Sequence, residues 1–190
     1  MGKILVIAAL IALPASVHAQ AAPADARAAQ ALAHSVEQLR SSIGRWAVVT
    51  EFLNEDGSVA RAVSGTYEFT WVVPDRVVSG KSEIPELAQA AGILFYVNES
   101  KGAIEMVSVG ADGQLWIMSG PLGGEERLSQ EYQAGPGVTA RLRFTRFNVA
   151  ANSFESRMEY TEDGGRTWKQ GNHQTFRRAT EAGTAGAVRG

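Results

Sequence analysis

From Gly44 to Arg178 apolar and polar residues alternate with a period of two, and short turn-forming clusters interrupt the alternation. Such a period puts successive side chains on opposite faces of an extended strand, so it commits the segment to sheet with one face buried. Trp46, Val48, Thr50 and Phe52 open the series, and Asn54-Glu55-Asp56-Gly57 turns the chain. Val59 to Trp71 follows, with Val63, Tyr67, Phe69 and Trp71 on one face, and Pro74-Asp75 breaks it. Further strands are predicted at Arg76 to Ser82, Ile93 to Val97, Ala103 to Val109, Gln114 to Ser119, Arg127 to Gln133, Val138 to Phe147, Phe154 to Tyr160 and Trp168 to Arg178. Pro85 to Gly92 reads as a short helical or irregular crossing. About ten short strands joined by tight turns describe an up-and-down antiparallel β-barrel. Closing the meander removes the exposed edges, and a ring of about ten strands leaves room inside for a small ligand.

One helix is predicted ahead of the strands. Ala28, Leu32, Val36, Leu39 and Ile43 recur at spacings of three and four, with Asp25 as N-cap and Gly44 as the stop. It is alanine-rich and weakly amphipathic, which suits packing against a barrel end or wall. Before it, Lys3, the apolar run Ile4 to Leu13, and the small residues Val17 and Ala19 ahead of Gln20 have the three parts of a secretory signal. The run is too short to span a bilayer. The expected organisation is therefore a cleavable signal over residues 1–19, a linker and helix over 20–43, a barrel over 44–179 and a small, polar, disordered tail over 180–190. A periplasmic or secreted location follows from the signal.

The charge balance is near neutral, with 18 Lys and Arg against 20 Asp and Glu. That argues against a polyanion-binding surface, so no nucleic acid partner is expected. The chain has no cysteine, so neither a disulfide nor a lipidated cysteine is available, and stability must come from burial. No stable membrane insertion is expected, and the pattern does not set the oligomeric state.

Thr161-Glu162-Asp163-Gly164-Gly165-Arg166-Thr167-Trp168 matches the S/T-x-D-x-G-x-T-W pattern of the Asp-box, a hairpin motif of sialidase propellers. In a propeller it recurs with each blade; here it occurs once, and it is expected to pin one hairpin with Trp168 returning to the core. Gly44-Arg45-Trp46 at the junction of helix and first strand, with Phe176-Arg177-Arg178 ending the last, resembles the lipocalin and wider calycin pattern. That resemblance implies a Trp closing one barrel end with an Arg from the last strand across it. The ending Glu159-Tyr160-x-x-Asp163-Gly164-Gly165-x-Thr167-Trp168 running into Phe176-Arg177-Arg178 resembles secreted bacterial proteins of the DUF1579 family, which implies the same fold and supplies no activity.

Nitrobindin-like barrels of similar strand count hold haem through one late histidine. Here His18 falls in the signal and His34 on the helix, leaving His173 alone for that role. If Trp168 faces inward, strict alternation sends His173 outward; a bulge at Gly171 reverses the relation. The glycine-rich stretch those barrels carry after their first-strand Trp is missing, since Trp46 is followed by Ala47-Val48-Val49-Thr50. No cofactor or metal is expected. Gly80-Lys81-Ser82 lacks the remainder of a phosphate loop, and there is neither a G-x-S-x-G elbow nor an H-E-x-x-H. Arg141 and Arg143 alternate with Leu142 and Phe144, as on a solvated outer wall, whereas Arg146 shares the apolar face and could meet an anionic ligand head at the barrel mouth.

The functional expectation is a soluble barrel that binds a small apolar or amphipathic ligand inside. Its candidate contacts are Thr50, Tyr67, Phe69, Trp71, Met106, Phe144, Arg146, Phe154, Met158 and Tyr160, with Val48 also inward. Apolar walls with a few polar anchors suit a small-molecule site, and they equally suit a solid core. The alternatives are an envelope interaction domain without ligand, a haem barrel, or an enzyme using Arg146, Tyr67 and Tyr160. No nucleophile–base pair or carboxylate dyad supports the last.

Overall fold

The computed structural model describes residues 24–179. The signal, the linker up to residue 23 and the tail over 180–190 lie outside the described residues. A helix, α1 (Ala24–Ser42), precedes eleven strands: β1 (Gly44–Leu53), β2 (Val59–Val73), β3 (Val77–Ile84), β4 (Gln89–Asn98), β5 (Ala103–Gly110), β6 (Leu115–Pro121), β7 (Glu126–Ser129), β8 (Tyr132–Gly135), β9 (Val138–Ala150), β10 (Ser153–Thr161) and β11 (Lys169–Arg178).

Ten of the strands form a closed antiparallel ring. Each of β1 to β6 pairs with its successor, β7 pairs with β9, β9 with β10, β10 with β11, and β11 returns to β1. The stretch Arg127 to Gln133, predicted as one strand, is divided: β7 pairs with Arg143–Thr145 and β8 with Val138–Ala140, so the two short strands share β9 end to end. At the break the Leu142 amide donates to the Ser129 hydroxyl at 2.8 Å, which stands in for the lapsed backbone partner. The expected crossing at Pro85 to Gly92 is shorter than predicted. One 3-10 turn over Pro85–Leu87 suffices, and β4 begins at Gln89.

α1 closes one end of the barrel. Its inner face carries Leu32, Val36 and Leu39, which join Trp46, Val48, Phe69, Val78, Phe95, Val97, Ile104, Phe154 and Phe176 in one apolar cluster. The aromatic rings interlock: Phe154 stacks on Phe176 at 4.1 Å between centroids, and Trp46 meets Phe154 edge-on at 5.0 Å. Polar contacts fasten the helix across the opening. The Gly123 amide donates to Ser35 Oγ and Gln38 Nε2 donates to the Gly124 carbonyl, both at 2.9 Å. Trp46 Nε1 donates to the Ser42 carbonyl at 2.7 Å.

The arginine across Trp46 is Arg178, the second of the two the sequence offers. Its guanidinium lies 4.5 Å from the ring centroid, and its Nη1 donates to the Ile43 carbonyl at 2.6 Å. Gly44 makes this possible: its φ is 117°, and a Cβ there would come within 2.6 Å of Arg178 Nη1.

The far end is ringed by the β1–β2, β3–β4, β5–β6, β8–β9 and β10–β11 turns. In the last, Asp163 accepts from the Thr167 amide and hydroxyl and from the Thr161 hydroxyl, and the Gly165 amide donates to Thr161 Oγ1. These bonds hold the Asp163 carboxyl well below the usual carboxylate range, the Thr167 hydroxyl contributing most. The turn is self-contained, as expected of a single Asp-box. Trp168, however, does not return to the core. It lies half-buried on the outer wall with the Arg143 guanidinium 4.1 Å above its ring. The cause is a bulge at Gly171, where pairing steps from Met158–Asn172 to Glu159–Gln170 and reverses the parity of the residues before it.

Candidate functional site

Register, contacts and burial place all ten candidate residues on the inner wall, at different depths. Phe69 and Phe154 are buried in the cluster under α1 and Trp71 packs against it, so these three side chains build the floor. Thr50 and Tyr67 lie higher. Gln174 Nε2 donates to Thr50 Oγ1 at 2.9 Å and to the Tyr67 hydroxyl at 3.4 Å, while Ser156 donates to Gln174 Oε1 at 3.3 Å. This small network is polar yet enclosed by the apolar wall.

Met106, Phe144, Met158 and Tyr160 also point inward, and all four are only half-buried. Met106 pairs across the ladder with Met118, and Phe144 with Met158. Trp116 and Tyr132, half-buried and in edge-on contact at 4.9 Å, extend this wall toward the β8 side. These apolar inward side chains stay partly in reach of solvent, unlike those buried beneath α1.

Arg146 sits elsewhere than expected. It lies under the helix on the floor, donating to Ser41 Oγ at 2.8 Å, with its guanidinium 4.8 Å from the Phe154 ring centroid. Sequence reasoning missed its companion. Arg127 of β7 is 1% exposed, with its guanidinium 4.7 Å from the Phe95 centroid and 5.5 Å from that of Phe144, and its Nη2 donates to Gln38 Oε1 at 2.7 Å. Burial pushes the Arg127 guanidinium down to about 10, and the nearby Arg146 charge adds to the shift while Glu125 opposes it. Burial likewise lowers Arg146. The sequence hid Arg127 because Leu128, next to it, is the residue hydrophobic alternation would turn inward. Leu128 is on the outer face, half-buried.

His173 faces outward, away from any group held in the barrel. Its Nδ1 lies 3.1 Å from Glu51 and its Nε2 2.8 Å from Glu155, with the ring stacked on Phe147. Outward it remains, as alternation from an inward Trp168 gave, but for a different reason: the bulge is present and Trp168 is itself outside. Arg143 is also on the outer wall, paired with Glu159 at 2.9 Å. Among the described residues no group of three or more His, Cys, Asp or Glu side chains is arranged to hold a metal ion, and no helix is long and apolar enough to cross a membrane.

Two recesses open on the surface outside the barrel interior. One, about 400 Å³, lies at the rim between Gly137–Arg141 and the Asp-box residues Thr161, Glu162 and Gly164. The other, about 490 Å³, lies between α1 at Leu32 and Val36 and the β2–β3 turn at Pro74, Asp75 and Arg76.

A closed up-and-down barrel with a helix across one end and a Trp–Arg pair at that end is a calycin-like barrel. No family model matches the chain, so the likeness to DUF1579 rests on the residues quoted for it, and no curated protein matches either. Among solved structures, a protein of unknown function from the DUF3598 family of Nostoc punctiforme aligns with 75% of this chain at 12% identity and a TM-score of 0.44. This chain spans about half of that one, 49% of its length. The S-type phycobiliprotein lyase CPES from Guillardia theta aligns with 76% of this chain and 92% of its own, at 11% identity and a TM-score of 0.41. The structure of EF1p2_mFAP2b bound to DFHBI aligns with 77% of this chain and 98% of its own, at 15% identity and a TM-score of 0.37.

Proposed function

We propose that this chain is an exported carrier that holds a small apolar or amphipathic ligand inside its barrel. The observation that carries the reading is the incompletely buried inner wall of Phe144, Met158 and Tyr160, joined by Met106 at the edge of the floor cluster, above an end sealed by α1. A solid core would bury such side chains completely, and a ligand covering them would gain roughly 25 cal/mol per Å² of apolar surface. Gln174, Thr50 and Tyr67 offer hydrogen bonds partway down. Export rests on Lys3, the run Ile4 to Leu13 and the Val17–Ala19 site, with the chain from Gln20 onward, helix and barrel together, as the released protein. The likeness of the C-terminal segment to the secreted DUF1579 proteins points the same way.

Titration with the neutral fluorophore N-phenyl-1-naphthylamine tests the interior. Saturable one-to-one binding is expected, and Met106→Trp or Met158→Trp, each filling the open half, should weaken it about tenfold or more without unfolding the protein. Absence of saturable binding sinks the proposal.

A second reading has one observation in its favour. Leu94, Val107 and Ile117 stand side by side on the outer wall across β4, β5 and β6, with Val109 and Leu115 next to them. Leu94, Val109 and Leu115 are exposed. An apolar row of this kind suits an envelope interaction domain. Self-association or partner binding abolished by Leu94→Lys, in a protein that takes up no fluorophore, would favour it over the carrier.

A further inference from the structure

Among the described residues, three buried side-chain polar atoms have no hydrogen-bond partner: Arg127 Nε, Arg146 Nε and Glu125 Oε2. The two arginines lie on the barrel floor beneath α1, and Glu125 lies beside them in the β6–β7 turn at its edge. Arg127 pairs across the ladder with Phe144, and Arg146 is the next inward residue along β9. The Arg146 amide donates to the Glu125 carbonyl at 3.1 Å, which draws the three residues together. Among the described residues neither arginine has a carboxylate within salt-bridge distance, while Glu125 gives its Oε1 to His34 at 2.9 Å. Two guanidiniums, 1% and 7% exposed, thus face the Glu125 carboxylate, while Glu37, turned to solvent beside Arg40, is a more distant charge on Arg146.

Buried polar groups are ordinarily satisfied, and an unpaired buried charge is among the costliest features a fold can carry. Aromatic faces and one hydrogen bond apiece hold each guanidinium in position. Phe95 and Phe144 flank Arg127 while Gln38 accepts from it; Phe154 lies beside Arg146 while Ser41 accepts from it. What each keeps unused is its Nε–H edge.

Resting on the carrier reading, we infer that the ligand is an amphipathic monoanion whose carboxylate head is bound by Arg127 and Arg146 at the barrel floor, with its apolar body extending past Phe144 toward Met106 and Met158. A single negative charge balances the surplus guanidinium, and a carboxylate has the paired oxygens to accept from both edges. The ligand enters head first from the open end, because α1 seals the other. An uncharged ligand of the same length leaves both arginines as they are.

Dodecanoate and dodecan-1-ol share one apolar body and differ in the head group, so their competition against N-phenyl-1-naphthylamine at pH 8 on the unaltered chain isolates the charge. Dodecanoate is expected to bind at least about tenfold more tightly than the alcohol, the scale of one charge-assisted hydrogen bond. Arg127→Met and Arg146→Met should each remove most of that preference, lowering dodecanoate affinity far more than alcohol affinity. Equal binding of acid and alcohol by the unaltered chain overturns the inference and leaves the carrier reading standing. A preference for the acid that survives both substitutions overturns the assignment to these arginines. If neither probe nor the fluorophore binds, both readings fall together.

Discussion

The Arg178 guanidinium lies 4.5 Å from the centroid of the Trp46 ring and, through Nη1, also donates to the carbonyl of Ile43, so the last strand locks the first strand and the end of the helix in one contact. Trp46 is 1% exposed and touches Phe154 edge-on. Truncation to alanine is expected to cost about 3–5 kcal/mol. Arg178→Met, which keeps the aliphatic stem, should cost less, about 1–2 kcal/mol. Gly44→Ala should also destabilise, because its backbone is left-handed and the new methyl group meets the guanidinium. Urea denaturation of the three variants measures the ranking, and an Arg178 variant as damaging as Trp46→Ala would contradict it.

Asp163 should make the Asp-box hairpin acid-sensitive. Its folded-state pKa is depressed by bonds from Thr167 and Thr161, so its contribution is present above the unfolded value of 3.8 and fades as pH falls toward the lower folded value. The stability difference between the parent and Asp163→Asn should therefore be full at pH 6 and shrink steadily below pH 4. Thermal melts at stepped pH follow it; a difference that does not change with acidification contradicts the carboxylate's role.

Arg127 separates volume from charge. Arg127→Met removes an unpaired buried charge but leaves Gln38 Oε1 without its donor, two opposing effects each of about 1–3 kcal/mol. Stability in the absence of ligand should change by no more than about 1 kcal/mol. Arg127→Ala, which also opens a hole between Phe95 and Phe144, should lose about 2–5 kcal/mol. Paired denaturation curves decide the point, and similar large losses in both variants would mean that the charge itself supports the fold.

Export makes a prediction for the N-terminus. Protein recovered from the periplasm or medium of an expressing bacterium should begin at Gln20, read by N-terminal sequencing or intact mass. Ala19→Arg, which removes the small residue at the cleavage site, should leave uncleaved precursor.

Much of the fold was legible because its signals are local. Alternation from Trp46 to Phe52 and from Phe154 to Tyr160 identified the inner wall, and glycine- and proline-rich clusters marked most of the turns. The candidate site was legible as a face and not as a depth. Phe69, Phe154 and Met158 have the same inward parity, yet the first two are buried in the floor and the third is only half-buried, because α1 packs over only one end. Arg127 escaped notice because a buried arginine next to an outward leucine reverses the rule that alternation relies on.

The run of strands along the chain, the inward face of most of them and the helix ahead of them were set by the chain's own periodicity, since a side chain's face follows from its position along a strand. Tertiary structure decided whatever depends on a second strand or on the helix. The Gly171 bulge, stabilised by pairing with β10, put Trp168 outside with Arg143. The division of Arg127 to Gln133 into β7 and β8 arose from sharing β9. The meeting of Arg127, Arg146 and Glu125 under α1 needed barrel closure, which brings together charges that no local pattern relates.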